Sequence, residues 1–242
     1  MKVLIVYAHP EPKSFNGALF CHAIRALEQP SPTLMRALFC HAIRALEQAG
    51  HTVMTSDLYA MGFDPVSDRR NFTAASDPDF LKLQLEELAA TEQGSFAPQL
   101  EQEMQKLEAA DLLIFQFPLW WFGLPAILKG WVDRVFAMGR VYGQGHIYES
   151  GKFRGKRALL SLTTGGPAET YLPDGFNGDI DGVLRPIQRG ILQFVGFDVL
   201  RPHICYAPVR VSPEEREAWL AQWAERLGQI EQESPIAVGR YQ

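Results

Sequence analysis

The chain has 242 residues, 47% of them hydrophobic, 21% charged and 11% aromatic, with a net charge of −5 when histidines are taken as neutral. That profile is ordinary for a soluble globular protein, and its mild acidity gives no support to a nucleic-acid surface. No run approaches the ~20 consecutive apolar residues of a membrane span, and the first apolar run is too short for a signal peptide, so no integral membrane segment and a cytoplasmic location are expected. Three cysteines, Cys21, Cys40 and Cys205, are odd in number and lack CxxC spacing, which argues against a disulfide framework or a zinc site, and no metal is expected.

In chain order, a strand is predicted over residues 2–8. The loop behind it, His9-Pro10-Glu11-Pro12-Lys13-Ser14-Phe15-Asn16, leads into a helix. Ser14 or Asn16 can cap that helix, and free N–H groups at a helix start attract anions. The residues allow two readings, a pyrophosphate loop or a routine cap with a surface loop. No P-loop or GxGxxG follows the strand, which counts against a dehydrogenase-type dinucleotide fold.

An internal repeat comes next. ALFCHAIRALEQ at 18–29 recurs without change at 37–48, an offset of 19 residues. A single perfect repeat reads as a tandem duplication, not as a solenoid, whose repeats diverge and come in threes or more. Each copy carries one apolar stripe of helical period, and Pro30 and Pro32 break the helix between them. Two short helices are expected where an ancestor had one. The first copy, which directly follows the candidate phosphate loop, is expected to keep the original slot. Residues 30–48 then form an insertion whose second helix seeks cover elsewhere.

Further strands are predicted over 52–57, 112–117, 158–163 and 199–206, with helical patterns over 98–110, 125–138, 181–194 and 213–229. Residues 62–95 form a polar excursion with one short helix near 80–88. Nearly continuous apolar strands alternating with helices predict one α/β domain, a doubly wound five-stranded parallel sheet with helices on both faces. Ligands of such sheets sit outside the carboxyl ends of the strands. There the third strand leads into Phe117-Pro118-Leu119-Trp120-Trp121-Phe122-Gly123-Leu124-Pro125. Its stiffened aromatic run offers flat walls to a planar ligand, or serves as a core anchor and subunit interface. The fourth strand leads into Thr163-Thr164-Gly165-Gly166, either a close backbone approach to a flavin edge or a tight turn. Tyr171 and Asn177 follow.

FQFPLWWFGLPAILKGW at 115–131 closely resembles the signature of the NAD(P)H:quinone oxidoreductases, the DT-diaphorase family. So do SDLYAM at 56–61, SFN at 14–16, LTTGG at 162–166, and PIQRGIL at 186–192 with Gly196-Phe197. The likeness spans nearly the whole chain outside the duplicated block. It implies a flavodoxin-like fold with strand order 2-1-3-4-5 and a homodimer with the active site at the interface. It also implies one FAD per subunit and ping-pong two-electron reduction of quinones by NADH or NADPH. His9, Ser14, Phe15, Asn16 and Ala18 match positions that hold the pyrophosphate and adenosine end of FAD. Pro118, Leu119, Trp120, Trp121 and Phe122 match the loop along the isoalloxazine. Thr163, Thr164, Gly165 and Gly166 match its polar edge. Tyr171 matches the active-site tyrosine, Arg216 an arginine near the adenine phosphates, and Tyr142 a tyrosine of the substrate pocket, to which Trp121 is also assigned. Asn177 stands where many members carry a catalytic histidine, and Trp120 where others carry a polar residue. Asparagine donates a hydrogen bond but no proton at neutral pH. Two other readings are a flavin-bearing regulatory subunit of a membrane transporter and an FMN-type azo- or nitroreductase.

Overall fold

A computed structural model describes residues 1–11 and 37–240. Its sheet runs β2-β1-β3-β4-β5, all parallel. The strands are β1 (Lys2–Tyr7), β2 (Thr52–Asp57), β3 (Leu112–Pro118), β4 (Arg157–Thr164), β5 (Asp198–Val199) and β6 (His203–Tyr206). β5 and β6 both pair with β4. The single strand expected over 199–206 is therefore split, and Pro202, which has no N–H to offer a ladder, lies at the break.

The helices are α1 (Ala37–Gln48), α2 (Leu83–Gln93), α3 (Pro98–Ala109), α4 (Ala126–Val135), α5 (Ile180–Ile187) and α6 (Pro213–Gly228). Successive strand residues point to opposite faces. Leu4 and Val6 join Leu113, Phe115, Leu160 and Trp131 on one side, under α3, α4 and α5. Val3, Ile5 and Tyr7 join Leu112, Ile114 and Trp223 on the other, under α1 and α6. This double burial is why β1, β3 and β4 read as unbroken apolar runs. The excursion after β2 holds a 3-10 turn at Arg69–Asn71 and a helix, α2, that starts and ends later than the sequence predicts. Its chain passes so close to α4 that a Cβ on Gly130 would stand 2.3 Å from the Pro65 carbonyl oxygen. α5 runs on into a π turn at Gln188–Gln193 in place of the regular helix expected to 194.

The duplication resolves against expectation. The second copy is α1, and its Ala42 and Leu46 are fully buried with Val3, Ile5, Tyr7 and Trp223. It fills the slot beneath the sheet that the sequence reading gave to the first copy; residues 18–29 lie outside the described residues. The physical reason is its junction with β2. His51 N donates to Leu46 O and Gly50 N to Glu47 O, both at 2.9 Å, with Gly50 at φ 82°. This Schellman turn needs glycine and leaves no slack between helix and strand. The first copy ends in Gln29-Pro30 and cannot make it.

Candidate active site

Three loops meet at the carboxyl ends of β1, β3 and β4. The pairing of Pro118 with Thr163, and the Leu119 N–H donated to Thr163 O at 2.8 Å, dock the aromatic loop on the Thr-Thr-Gly-Gly loop. The His9 ring lies 6.2 Å from the ring of Trp120, which joins the first loop to the second. Ser14, Phe15, Asn16 and Ala18 lie outside the described residues.

The aromatic loop is anchored by Leu119, which is buried, and closed by Gly123 N donating to Trp120 O at 3.0 Å. Between them Trp121 and Phe122 both adopt left-handed backbone, φ 51° and 58°. That conformation costs a side-chain-bearing residue ~1–2 kcal/mol. In exchange the indole of Trp121 stands 97% exposed. Strain of this kind, with a large apolar ring held in solvent, marks a surface built for a ligand or a partner.

In the third loop Thr164 Oγ1 donates to Gly166 O at 2.8 Å. A Cβ on Gly165 would meet nothing within 4 Å, whereas one on Gly166 would meet Thr170 Oγ1 at 2.9 Å and both Tyr171 and Asn177 at 3.2 Å. Gly165 thus presents bare backbone to open space, and Gly166 lets Tyr171 close in behind it. This is a fitting edge for a flat heteroaromatic group, which backbone N–H groups could meet in its plane. Asn177 Nδ2 donates to Thr170 Oγ1 at 3.0 Å and Asn177 N to Thr170 O at 2.7 Å, so its side chain fastens the turn that carries Tyr171. Tyr171 is itself buried, its ring 5.8 Å from that of Tyr206.

Burial pushes the His9 imidazole below its ordinary value, against the pull of the Glu11 carbonyl and carboxylate. It is therefore neutral at pH 7 in the free protein. Arg216, on the first turn of α6, donates to the carbonyls of Pro208 and Val211 at 3.1 and 2.9 Å, bracing the loop behind β6. Tyr142 is not brought to these loops within one chain. It lines a separate cavity with Glu87, Phe136 and Phe194, where its hydroxyl accepts from Gln84 Nε2 at 3.2 Å. Arg185, Gln188 and Arg201, which line a cleft beside Tyr206, escaped the sequence reading because nothing in their spacing sets them apart.

Comparison with known proteins agrees with this geometry. A family model for the flavodoxin-like fold matches residues 30–230. The human ribosyldihydronicotinamide dehydrogenase [quinone] is 45% identical over 236 residues, 97% of this chain and 94% of that protein. The rat NAD(P)H dehydrogenase [quinone] 1 is 41% identical over 97% of this chain and 79% of its own length. A solved structure from Klebsiella pneumoniae, assigned as a quinone reductase, superposes with TM-score 0.86 at 43% identity, covering 98% of this chain and 87% of its own. With its parallel sheet, its aromatic loop and its glycine pair at adjoining strand ends, the chain belongs to the flavodoxin-like family of quinone dehydrogenases.

Proposed function

We propose that the protein is an FAD-dependent NAD(P)H:quinone oxidoreductase that works as a cytoplasmic homodimer. The observation that carries this reading is the convergence of His9, the 118–122 loop and the 163–166 loop at three adjoining strand ends, within a chain of this family. Bound FAD would supply a two-electron carrier, reduced by the nicotinamide and reoxidised by the quinone in a ping-pong cycle. The net reaction takes NAD(P)H, a proton and a quinone to NAD(P)+ and a hydroquinone.

The chain's own residues have separable tasks. His9, Ser14, Phe15, Asn16, Ala18 and Arg216 hold the pyrophosphate and adenosine end. Pro118, Leu119, Trp120, Trp121 and Phe122 line the ring system, with Trp121 and Tyr142 on the substrate side at the dimer interface. Thr163, Thr164, Gly165 and Gly166 offer backbone donors to the polar edge and stabilise negative charge that grows there. Tyr171 places a phenol at the same edge as hydrogen-bond donor. Asn177 positions that phenol through Thr170, and the proton it cannot give comes from Tyr171 or water. Exposure of Trp121 and Phe176, at 97% and 95%, supports a second copy over this face, since single chains seldom leave such rings in water.

The test is the visible spectrum of the purified protein, followed without oxygen as NADPH and then a benzoquinone are added. Bands near about 450 nm that bleach with NADPH and return with quinone are expected. The released flavin should be FAD, and sedimentation should give twice the chain mass. Bands that stay unbleached, or FMN in place of FAD, would overturn the assignment.

A further inference from the structure

A cleft of about 820 Å³ lies beside the candidate active site, between α5, β6 and the segment around residues 236–239. Its apolar lining includes Ile180, Ile204, Ile236 and Val238. Two arginines line it from different elements, Arg185 on α5 and Arg201 ahead of β6. Neither makes a side-chain hydrogen bond or ion pair among the described residues. Gln188 also lines it, and although only 3% exposed it leaves its Nε2 without an acceptor. Buried amide donors are seldom left unmet, and this one belongs to a residue that lines the same cleft as two unpaired arginines. The acid among the lining residues is Asp181, which is exposed, so the cleft carries an excess of positive charge.

Its position ties it to the site already described. Tyr206, in its wall, pairs in register with Thr164 of the glycine loop and packs its ring 5.8 Å from that of Tyr171. Ile180 and Asp181 follow Asn177 closely along the chain. A molecule with one end at the Tyr171 edge and a phosphate-bearing tail would find two cations here that are unpaired among the described residues.

We propose that this cleft receives the phosphate-bearing tail of the dinucleotide donor, with Arg185 and Arg201 facing its anionic oxygens and Gln188 as a further donor. Guanidinium pairs suit phosphate because their fixed forks match its oxygens, and an arginine is the usual partner of a 2′-phosphate. The inference rests on the quinone-reductase reading, and it separates a donor with a phosphate tail from a ribosyl donor without one, the two kinds named among the relatives.

The experiment uses the full-length flavin-loaded protein, its Arg185→Gln/Arg201→Gln double variant and Gln188→Leu. Two quantities are measured: the affinity for NADP+, and the kcat/KM for NADPH and for dihydronicotinamide riboside with one fixed naphthoquinone. The double variant should bind NADP+ at least tenfold more weakly and lose a similar factor in kcat/KM for NADPH through KM. Its turnover of the riboside should stay within twofold of the parent. Gln188→Leu should weaken NADP+ severalfold while the protein stays folded. Equal losses for both donors, or unchanged NADP+ affinity, would overturn the proposal. So would inorganic diphosphate binding in an arginine-dependent way while NADP+ does not, which would make this a site for free anions. Failure of the parent to turn over either donor would instead strike at the quinone-reductase reading, because the NADP+ affinities decide the cleft without turnover.

Discussion

The His51 amide donates to the Leu46 carbonyl at 2.9 Å, and this one bond commits the second copy of the duplicated helix to the slot beneath the sheet. Leu46 is fully buried there against the β1 side chains. Leu46→Ala should therefore destabilise the protein by about 3 kcal/mol, in the range of large-to-small core changes. The same change at Leu27, its duplicate, should cost much less, and denaturant unfolding of the two variants decides between the copies. Deleting residues 30–48 and deleting residues 18–36 produce the same chain, in which one copy is followed by Ala49-Gly50. That shortened chain should keep its thermal midpoint and its flavin content, or gain in both.

The sheet and its order were legible because β1, β3 and β4 are buried on both faces, and double burial writes itself as unbroken runs of Val, Ile, Leu and Phe. The strand ends followed from that, and with them the aromatic and glycine loops. What stayed hidden had other causes. Two identical segments carry no periodicity that ranks them; only the junction Ala49-Gly50, against Gln29-Pro30, distinguishes the copy that can close onto β2. Pro202 divides the last strand, but the split pieces return to the same neighbour, so the order survived. The place of Asn177 after Tyr171 is visible in the sequence, but that its amide ties down Thr170 is a contact that only folding brings about. The arginines of the cleft come from separate elements and share no spacing.

Gly165 and Gly166 are neighbours with opposite surroundings, and the difference separates cofactor binding from folding. A methyl group on Gly165 meets nothing in the protein, so Gly165→Ala should leave the unfolding midpoint unchanged. If that backbone faces the flavin, the same methyl should lower the FAD content of the purified protein severalfold. Gly166→Ala forces Thr170, Tyr171 and Asn177 aside and should cost about 1–3 kcal/mol as an overpacked site. Absorbance of the bound flavin and a denaturant titration on both variants give the two readouts.

Trp121 occupies left-handed backbone with its ring in water, so its side chain stabilises nothing in the single chain. Trp121→Gly should hold or raise the thermal midpoint, because glycine adopts φ 51° without the penalty of about 1 kcal/mol or more. Quinone turnover should fall at least tenfold. A variant that loses stability along with activity would show that the indole also packs against the second copy, and sedimentation of the variant would then show a weakened dimer.

The Trp131 indole donates to Glu103 Oε2 at 2.8 Å, Ser56 Oγ to the same oxygen at 2.6 Å, and Lys106 Nζ to Oε1 at 2.6 Å. Three donors converge on one buried carboxylate that bridges β2, α3 and α4. Removing the acceptor strands two buried donors, while Lys106 keeps the Thr55 carbonyl at 3.2 Å, so Glu103→Ala should cost about 2–4 kcal/mol. Glu103→Gln keeps acceptor capacity for the indole but sets an amide against Lys106, and should cost less. Chemical unfolding of the two variants checks the order.

Glu87 supplies the last test, because its carboxyl is buried and burial raises its pKa to about 7, against the opposing pull of the Met138 N–H it accepts at 2.7 Å. The folded protein therefore holds a proton that the unfolded chain releases near the ordinary glutamate value. Stability from this group is complete at low pH and is lost as pH rises from about 4.5 to 7, after which the loss stays constant. A neutral amide in its place would retain an acceptor for the Met138 N–H without a charge to desolvate, so Glu87→Gln should gain on the parent across that window. The gain should level off at about 1–2 kcal/mol above pH 7 once solvent screening is allowed for. Unfolding midpoints of the two proteins at pH 5 and pH 8 measure it. A difference that does not grow between those values would mean that the carboxyl is charged and paired in the folded state, and that the cavity it shares with Tyr142 is wetter than its walls imply.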